Sequence, residues 1–319
     1  MEDNCVAEFK LEGKRVWIAG HRGMVGSAVV RRLKSENCTI LTAGRDELDL
    51  RNSVEVDVWV EKNKPDAVII AAAKVGGILA NMSLPADFIY DNLMIASNVI
   101  KSAHDHKLEK VLFLGSSCIY PKLAPQPLTE SSLLTGPLEP TNEWYAVAKI
   151  AGIKLCQAYR QQHGDDMISA MPTNLYGPGD NYDLQTSHVL PALLRKMHDA
   201  RERKDPTVTI WGSGTPLREF MYVDDLADAC VYLMKNYSGD EHVNVGSGQE
   251  VSIRGLAELI ADIVGFSGEL VFDNTKPDGT PRKLLDVSKL TQLGWTAKHS
   301  LADGVHEAYA AFLREKASS

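Results

Sequence analysis

Short apolar runs alternate along the first half of the chain with longer stretches whose apolar residues recur at helical spacing. Residues 15–19 (RVWIA) read as a buried strand, followed by a glycine loop and a helix through residue 33. A second strand is expected at 39–42, a helix over 54–62 and a third strand at 67–71. A helix over 92–106 precedes a fourth strand at 110–115 (KVLFLG), and a long helix over 143–163 precedes a fifth strand at 167–172. Strands alternating with helices predict right-handed crossovers and an α/β fold with a doubly wound parallel sheet.

Beyond Tyr176-Gly177-Pro178 the alternation loosens. A helix is expected over 187–201, a strand in TVTIWGSG (207–214) and a helix over 224–235. A strand in HVNVGSG (242–248) and a helix over 253–264 follow, with Pro and Gly clustered in KPDGTPRK at 276–283. Residues 1–178 therefore read as the main domain and 179–319 mainly as a smaller lobe, with some later elements returning to the main sheet. No internal repeat or low-complexity tract interrupts this order.

Composition changes the picture by exclusion. Of the 319 residues, 44% are hydrophobic and 24% charged, enough apolar material for a substantial core. A net charge of −8 argues against nucleic acid as a partner, while local Arg and Lys can still hold a small anionic ligand. The opening MEDNCVAEFKLEGK lacks the apolar centre of a secretory signal. The most apolar runs fall well short of the roughly 20 residues that span a bilayer, so no membrane partner is expected. Five scattered cysteines, Cys5, Cys38, Cys118, Cys156 and Cys230, form no CxxC pair. They read as reduced thiols of a cytoplasmic protein, with neither a disulfide framework nor a metal site.

Candidate chemistry begins at GHRGMVG (20–26), between the first strand and the first helix. Gly20, Gly23 and Gly26 let the backbone turn tightly and approach a pyrophosphate, to which a helix N-terminus offers free N–H groups and its positive dipole end. The spacing is GxxGxxG and also suits a simple tight turn; its place between strand and helix favours a dinucleotide. Where NAD enzymes carry an acid after the second strand, this chain reads TAGRDELDL, with Arg45 the first side chain beyond Gly44. Arg45 and Arg22 present guanidinium forks suited to a 2′-phosphate, which favours NADP(H). The alternative leaves Arg45 in solvent and puts Asp46 on the ribose. Asp49 and Leu50 follow closely enough to cover the adenine edge.

Tyr145 and Lys149 stand one helical turn apart and share a face. A phenol titrates at about 10, and a neighbouring ammonium is expected to lower it toward working pH. Such a pair occurs by chance in many helices; the glycine loop and the GSS strand end at 115–117 give it meaning.

Taken together, GHRGMVG, AAAKVGG (71–77), LGSSCIYP (114–121), YAVAK (145–149) and MPTNLYGP (171–178) resemble the extended short-chain dehydrogenase/reductases. More narrowly they resemble the GDP-L-fucose synthase family of GDP-4-keto-6-deoxy-D-mannose 3,5-epimerase/4-reductases. The likeness continues through SHVLPALLRK, WGSGTPLREFMYVDDLA and TKPDGTPRKLLDVSKL, covering nearly all of the chain beyond residue 14. It implies a Rossmann-type domain for NADP(H) over 1–178 and a substrate-binding C-terminal lobe for a GDP-sugar in 179–319.

The resemblance further implies a reductase triad of Ser116, Tyr145 and Lys149. Tyr145 protonates the 4-keto oxygen, Lys149 holds the nicotinamide ribose and tunes Tyr145, and Ser116 hydrogen-bonds the keto oxygen. Spacing alone does not choose Ser116 over Ser117. Implied cofactor contacts come from Gly20, His21, Arg22, Gly23, Met24, Val25 and Gly26, and from Arg45, Leu114, Gly115 and Lys149. Pro172, Thr173, Asn174, Leu175 and His188 complete them.

The implied activity also needs a base and an acid on opposite faces of the sugar. Carbons 3 and 5 flank the 4-ketone, so each carbanion delocalises into an enolate that Tyr145 and Ser116 can stabilise. A thiol at about 8.5 and an imidazole at about 6.5 suit the task. Read alone, Cys118 is equally a small buried hydrophobe and His188 an ordinary helix-start residue; the resemblance assigns Cys118 as base and His188 as acid. It also places Lys196 and Arg218 on the diphosphate, with Trp211 and Asp278 in the same site, although each fits a surface or core role. In related reductases the helices matching 92–106 and 143–163 pair across a homodimer interface. Two other readings stay open: an NAD-recycling nucleotide-sugar 4-epimerase or dehydratase, and a non-catalytic NADP-sensing protein. A dehydratase tends to carry adjacent acids after its serine, where this chain has CIYP. A sensor has no need of the Tyr–Lys pair together with Cys118 and His188.

Overall fold

β1 (Arg15–Ala19) hides both of its faces, and this determines what surrounds it. Val16 and Ile18 enter one core layer, Trp17 and Ala19 the other. Such a strand needs helices on both sides of its sheet. The chain continues with α1 (Met24–Leu33), β2 (Thr39–Leu41), α2 (Ser53–Asn63), β3 (Ala67–Ile70) and α3 (Ile78–Ser83). Next come α4 (Pro85–Asp105), β4 (Lys110–Leu114), α5 (Glu143–His163) and β5 (Met167–Pro172). The second half supplies β6 (Asn174–Tyr176), α6 (Val189–Arg203), β7 (Thr207–Trp211), β8 (Leu217–Tyr222), α7 (Val223–Asn236) and β9 (Val243–Val245). It ends with β10 (Glu250–Ser252), α8 (Ile253–Val264), β11 (Glu269–Asp273), β12 (Arg282–Lys283), α9 (Ser288–Gln292) and α10 (Leu301–Ala317). This computed structural model describes residues 8–276 and 278–317; Cys5 and the start of the polar leader, with Pro277 of the 276–283 segment, lie outside the described residues.

Six parallel strands form the main sheet in the order β2-β1-β3-β4-β5-β9, the expected doubly wound arrangement. Its registers pair Ala19 with Ile70, Ile70 with Phe113, Leu114 with Ala170 and Pro172 with Val245, so the carboxyl ends line up along one edge. The order reverses between β1 and β3, and ligands of open α/β sheets bind at such switch points. α1 and α7 cover one face of the sheet; α2, α4 and α5 cover the other. A third apolar cluster joins α6, α8 and α10 to β6, β7 and β8 in the lobe. There β8 pairs with β6, β10 and β12, and β7 with β11.

The structure departs from the sequence expectation at several places: besides the three described next, β6, β8, β10, β11, β12 and α9 were not expected. The helix expected over 92–106 starts at Pro85, where proline occupies the first turn and needs no amide partner. Its opening PADFIYD buries only Phe88 and leaves its other side chains exposed or half-buried, so no helical apolar stripe marks the start. The short α3 escaped the pattern altogether. So did α10, although Val305, Ala308, Tyr309 and Phe312 sit at i, i+3, i+4 and i+7 and are all buried.

Among the described residues no helix is long and apolar enough to cross a membrane. Cys38, Cys118, Cys156 and Cys230 are free thiols.

Candidate functional site

The glycine loop leaves β1 with Gly20 at φ +96°, a conformation open chiefly to glycine. A Cβ there would lie 2.6 Å from the Ala72 backbone nitrogen, beyond the end of β3. A Cβ on Gly26 would collide with the Gly20 carbonyl oxygen, so this glycine lets α1 pack against the loop. Gly23 differs: a Cβ would meet only the Gly20 oxygen, at an ordinary 3.5 Å. Gly23 is the N-cap of α1 and supplies no side-chain cap, and the first turn, with Met24 and Val25, carries no acid. Buried His21 Nδ1 in the same loop has no hydrogen-bond partner. The loop therefore presents free donors and a positive helix end at the switch point.

At the end of β2, Arg22 donates through Nη1 to Asp46 Oδ1 at 2.9 Å. A Cβ on Gly44 would come within 2.5 Å of Arg22 Nη2, so the missing side chain is what lets the guanidinium sit over residue 44. Arg45 is exposed beside them. The two alternatives raised by the sequence, arginines for a phosphate or Asp46 for a ribose, thus occupy one spot. The other expected cofactor positions end neighbouring strands. Gly115 follows Leu114 and packs against Met171, whose sulfur fills the space a Cβ would need. Pro172 ends β5, the Thr173 N–H donates to Val245 O at 3.0 Å, and Asn174 Nδ2 donates to Glu219 O at 2.8 Å. Leu175 continues into β6.

Ser116, two residues beyond the end of β4, caps the short 3-10 turn Ser117–Ile119. Its Oγ accepts from the Cys118 N–H at 3.5 Å, and α5, which carries Tyr145, packs on this turn. Ser117 is buried within the turn. The turn and helix thus bring near each other two residues that the sequence separates by 27 positions (145 − 118).

α5 brings in Lys149, whose Nζ donates to Leu114 O at 2.7 Å and lies 4.9 Å from the Phe113 ring centroid and 5.7 Å from that of Tyr145. Burial lowers its ammonium to about 8. The expected lowering of Tyr145 is not found: burial pushes the phenol well above its ordinary range, Cys118 adds to the rise, and only Ser116 opposes it. Desolvation of the phenolate exceeds the help of a cation that is spent on a backbone carbonyl.

His188 is the N-cap of α6 and remains exposed, yet desolvation by surrounding protein, helped by Lys283, holds its imidazole below the ordinary range. Cys118 moves the opposite way. Burial raises its thiol, while Lys283, then the Ser116 hydroxyl and then Lys149, pull it down. Both shifts favour the uncharged forms, contrary to the simple expectation from ordinary pKa values.

In the lobe, Lys196 Nζ lies 5.9 Å and Lys276 Nζ 5.5 Å from the ring centroid of exposed Trp211. Arg218, on β8, loses part of its basicity to burial, with Asp278 opposing. Asp278 accepts from Ser213 N at 2.9 Å and Ser213 Oγ at 2.7 Å, clasping the WGSG turn to the 276–283 turn. Two of its acceptor positions are thus used within the protein. The sequence reading missed Lys276, Lys283 and the fully buried Glu219. The signal for the lysines was present, since both belong to the KPDGTPRK segment.

The model of the NAD dependent epimerase/dehydratase family matches residues 16–246. A GDP-L-fucose synthase of Sinorhizobium fredii is 58% identical over 98% of this chain and 99% of its own length. GDP-L-fucose synthase 1 of Arabidopsis thaliana is 59% identical over 97% and 96%. Among solved structures, a GDP-L-fucose synthetase from Naegleria fowleri bound to NADP superposes with a TM-score of 0.88 at 29% identity, covering 97% of this chain and 96% of that one. By the family match and by these near full-length relatives, the chain belongs to the NAD dependent epimerase/dehydratase family, in the branch that holds the GDP-L-fucose synthases.

Proposed function

We propose that this chain is a bifunctional enzyme that epimerises GDP-4-keto-6-deoxy-D-mannose at carbons 3 and 5 and reduces its 4-ketone with NADPH, giving GDP-L-fucose. The observation that carries the proposal is the packing of α5, with Tyr145 suited to a keto oxygen, on the turn that holds Ser116 and Cys118, the latter suited to a proton on the adjacent carbon. The names of the relatives point the same way. Conversion of the keto sugar by purified protein, with product stereochemistry read by NMR, tests it; folded protein that consumes NADPH without forming the L-fuco product would overturn it.

The residues present fit a dinucleotide. Gly23 leaves room beside an uncapped helix end, the His21 nitrogen awaits a partner, and Arg22 and Arg45 supply cations for a 2′-phosphate. Bound NADPH supplies the hydride for carbon 4. The ends of β4 and β5, from Leu114 and Gly115 to Pro172–Leu175, hold its nicotinamide half with Lys149 and His188. Gly23→Ala is expected to cost at most about 1 kcal/mol of stability as a changed N-cap while weakening NADPH binding at least about tenfold, since a methyl blocks the pyrophosphate. Gly26→Ala is expected to cost about 1–3 kcal/mol through overpacking. Thermal unfolding and a fluorescence titration of NADPH separate the two effects.

Ser116 and Tyr145 hold the keto oxygen. Cys118, as thiolate, takes the proton from carbon 3 or 5, the electron pair moves onto that oxygen, and protonated His188 returns a proton from the opposite face. Thiol with imidazole carries the same number of protons as thiolate with imidazolium, so arming the pair needs only a transfer between them. In the reductive step Tyr145 gives its proton to the developing alkoxide. Its raised pKa keeps that proton in place until the alkoxide forms. Lys196, Arg218 and Trp211 bind the GDP moiety, and Asp278 orders that surface through its clasp. On this reading residues 1–178 hold the cofactor and 179–319 mainly the GDP-sugar.

We also infer a cytoplasmic homodimer, supported by the free thiols and by the outward faces of α4 and α5, where Tyr90, Trp144 and Val147 are exposed. Val147→Asp is expected to shift the sedimentation coefficient to that of a monomer. An unchanged coefficient in wild type and variant would place the interface elsewhere.

A further inference from the structure

Glu219 is fully buried, yet the mechanism above makes no use of its carboxylate. It follows Arg218 on β8, so the two side chains leave opposite faces of the strand. Arg218 lies on the face given above to the GDP moiety, against the 276–283 turn: a Cβ on Gly279 would come within 2.9 Å of its Nη2. On the other face Glu219 meets backbone from distant parts of the chain. Oε1 accepts from the Gly248 N–H at 2.7 Å and from Ser247 Oγ at 3.5 Å, in the turn that follows β9 of the main sheet. Oε2 accepts from the Leu285 N–H at 3.0 Å, just past β12, which closes the 276–283 turn. Gly246 admits the carboxylate, since a Cβ there would collide with Oε1.

The main chain of the same residue serves a third segment. The Glu219 carbonyl oxygen accepts from Asn174 Nδ2 at 2.8 Å and from Thr173 Oγ1 at 3.4 Å, where β5 passes into β6. Thr173 and Asn174 belong to the edge given above to the nicotinamide half of the cofactor. One residue therefore fastens three segments to a single point of β8: the main sheet after β9, the base of the 276–283 turn and the cofactor edge. The side-chain part of this fastening needs two acceptor oxygens. Burial pushes the carboxyl pKa up and the N–H groups it accepts from oppose that rise, but a carboxyl keeps acceptor capacity on both oxygens in either protonation state.

We propose that Glu219 is a positioning residue: it holds Arg218 and the 276–283 turn at a set distance from the nicotinamide edge, so that carbon 4 of the GDP-sugar meets the hydride donor. This rests on the reading of both surfaces given above. The sugar hangs from its GDP anchor, and a misplacement of about 1 Å at the reacting atoms costs about 10²-fold in rate. Glu219→Gln keeps the shape but offers one acceptor oxygen, and its NH2 must face either the Gly248 or the Leu285 N–H. The bonds from Thr173 and Asn174 go to the main chain and survive. The substitution therefore loosens the GDP side and spares the cofactor side.

The test compares kcat/KM for the GDP-keto sugar, read from loss of NADPH absorbance, with the NADPH dissociation constant from a fluorescence titration. In Glu219→Gln the first should fall by about 10–100-fold, through KM as well as kcat, while the second stays at its wild-type value. Gly246→Ala keeps the carboxyl but drives it from the 246–248 turn, and it should show the same split. Unchanged kcat/KM in folded Glu219→Gln, with only a lower unfolding temperature, leaves Glu219 a merely structural residue and overturns the inference. Matching losses of NADPH and GDP-sugar binding overturn it too, since both anchors would then have loosened together. Should Glu219→Gln fail to fold, Gly246→Ala decides alone, and wild-type kinetics there overturn the inference. Absence of turnover by the wild-type protein would remove the functional reading itself, an outcome distinct from failure of Glu219 alone.

Discussion

Tyr145→Phe is expected to lower the rate of NADPH oxidation by about 10²–10⁴-fold, the range for losing a positioned proton donor. The substitution keeps the ring and its edge-on contact with Phe88, 6.5 Å between centroids, so the fold should survive. The KM for the GDP-sugar should change little, because the lost hydrogen bond matters most as charge develops on the keto oxygen. Deuterium exchange at carbons 3 and 5 should slow as well, since the same phenol stabilises the enolate. The pH profile adds a second check. Burial raises Tyr145, so the phenol stays protonated through the working range and contributes no descending limb. Lys149, lowered to about 8, is an ammonium below that pH and a neutral amine above it. Reduction should therefore decline as pH rises through about 8, and Lys149→Arg, always charged, should move that decline upward even if its rate is lower. A decline that stays in place in Lys149→Arg would assign it to another group.

How much of this was legible in the sequence depends on the distance over which each property is set. The strands at 15–19 and 167–172 and the helix at 143–163 are fixed by local apolar pattern, and the structure has them at those bounds. Tyr145 and Lys149 share a helix face, so their proximity was also local information. The start of α4 was not, because its first turns expose most of their side chains and rely on Pro85 for a beginning. The protonation states escaped for a related reason: residue type gives an ordinary pKa, but desolvation depends on chain segments packed from far away. Lys283 shows this best. It lies on a two-residue strand paired with β8, just before the residues that pair with the 126–128 segment, and no periodicity could reveal either pairing. The resemblance supplied Ser116 in preference to Ser117, and the structure gives that choice a physical basis: Ser117 is buried within the turn that Ser116 caps.

Cys118→Ser should separate the two halves of the reaction where Tyr145→Phe damages both. Oxygen replaces sulfur with a similar shape in a buried site, so the turn capped by Ser116 should persist. A hydroxyl there is a far weaker acid than a thiol and stays protonated at neutral pH. Deuterium exchange at carbons 3 and 5 should fall by about 10²–10⁴-fold, while an already epimerised ketone is still reduced within a few-fold of the wild-type rate. Mass spectrometry of the sugar reads the first quantity and loss of NADPH absorbance the second. The comparison discriminates because Ser116 and Tyr145, which serve both steps through one keto oxygen, remain untouched. Matching losses in both assays would mean that Cys118 supports the geometry of Ser116 and does not itself take the proton. Near-complete exchange would leave His188, or a group not yet named, as the base.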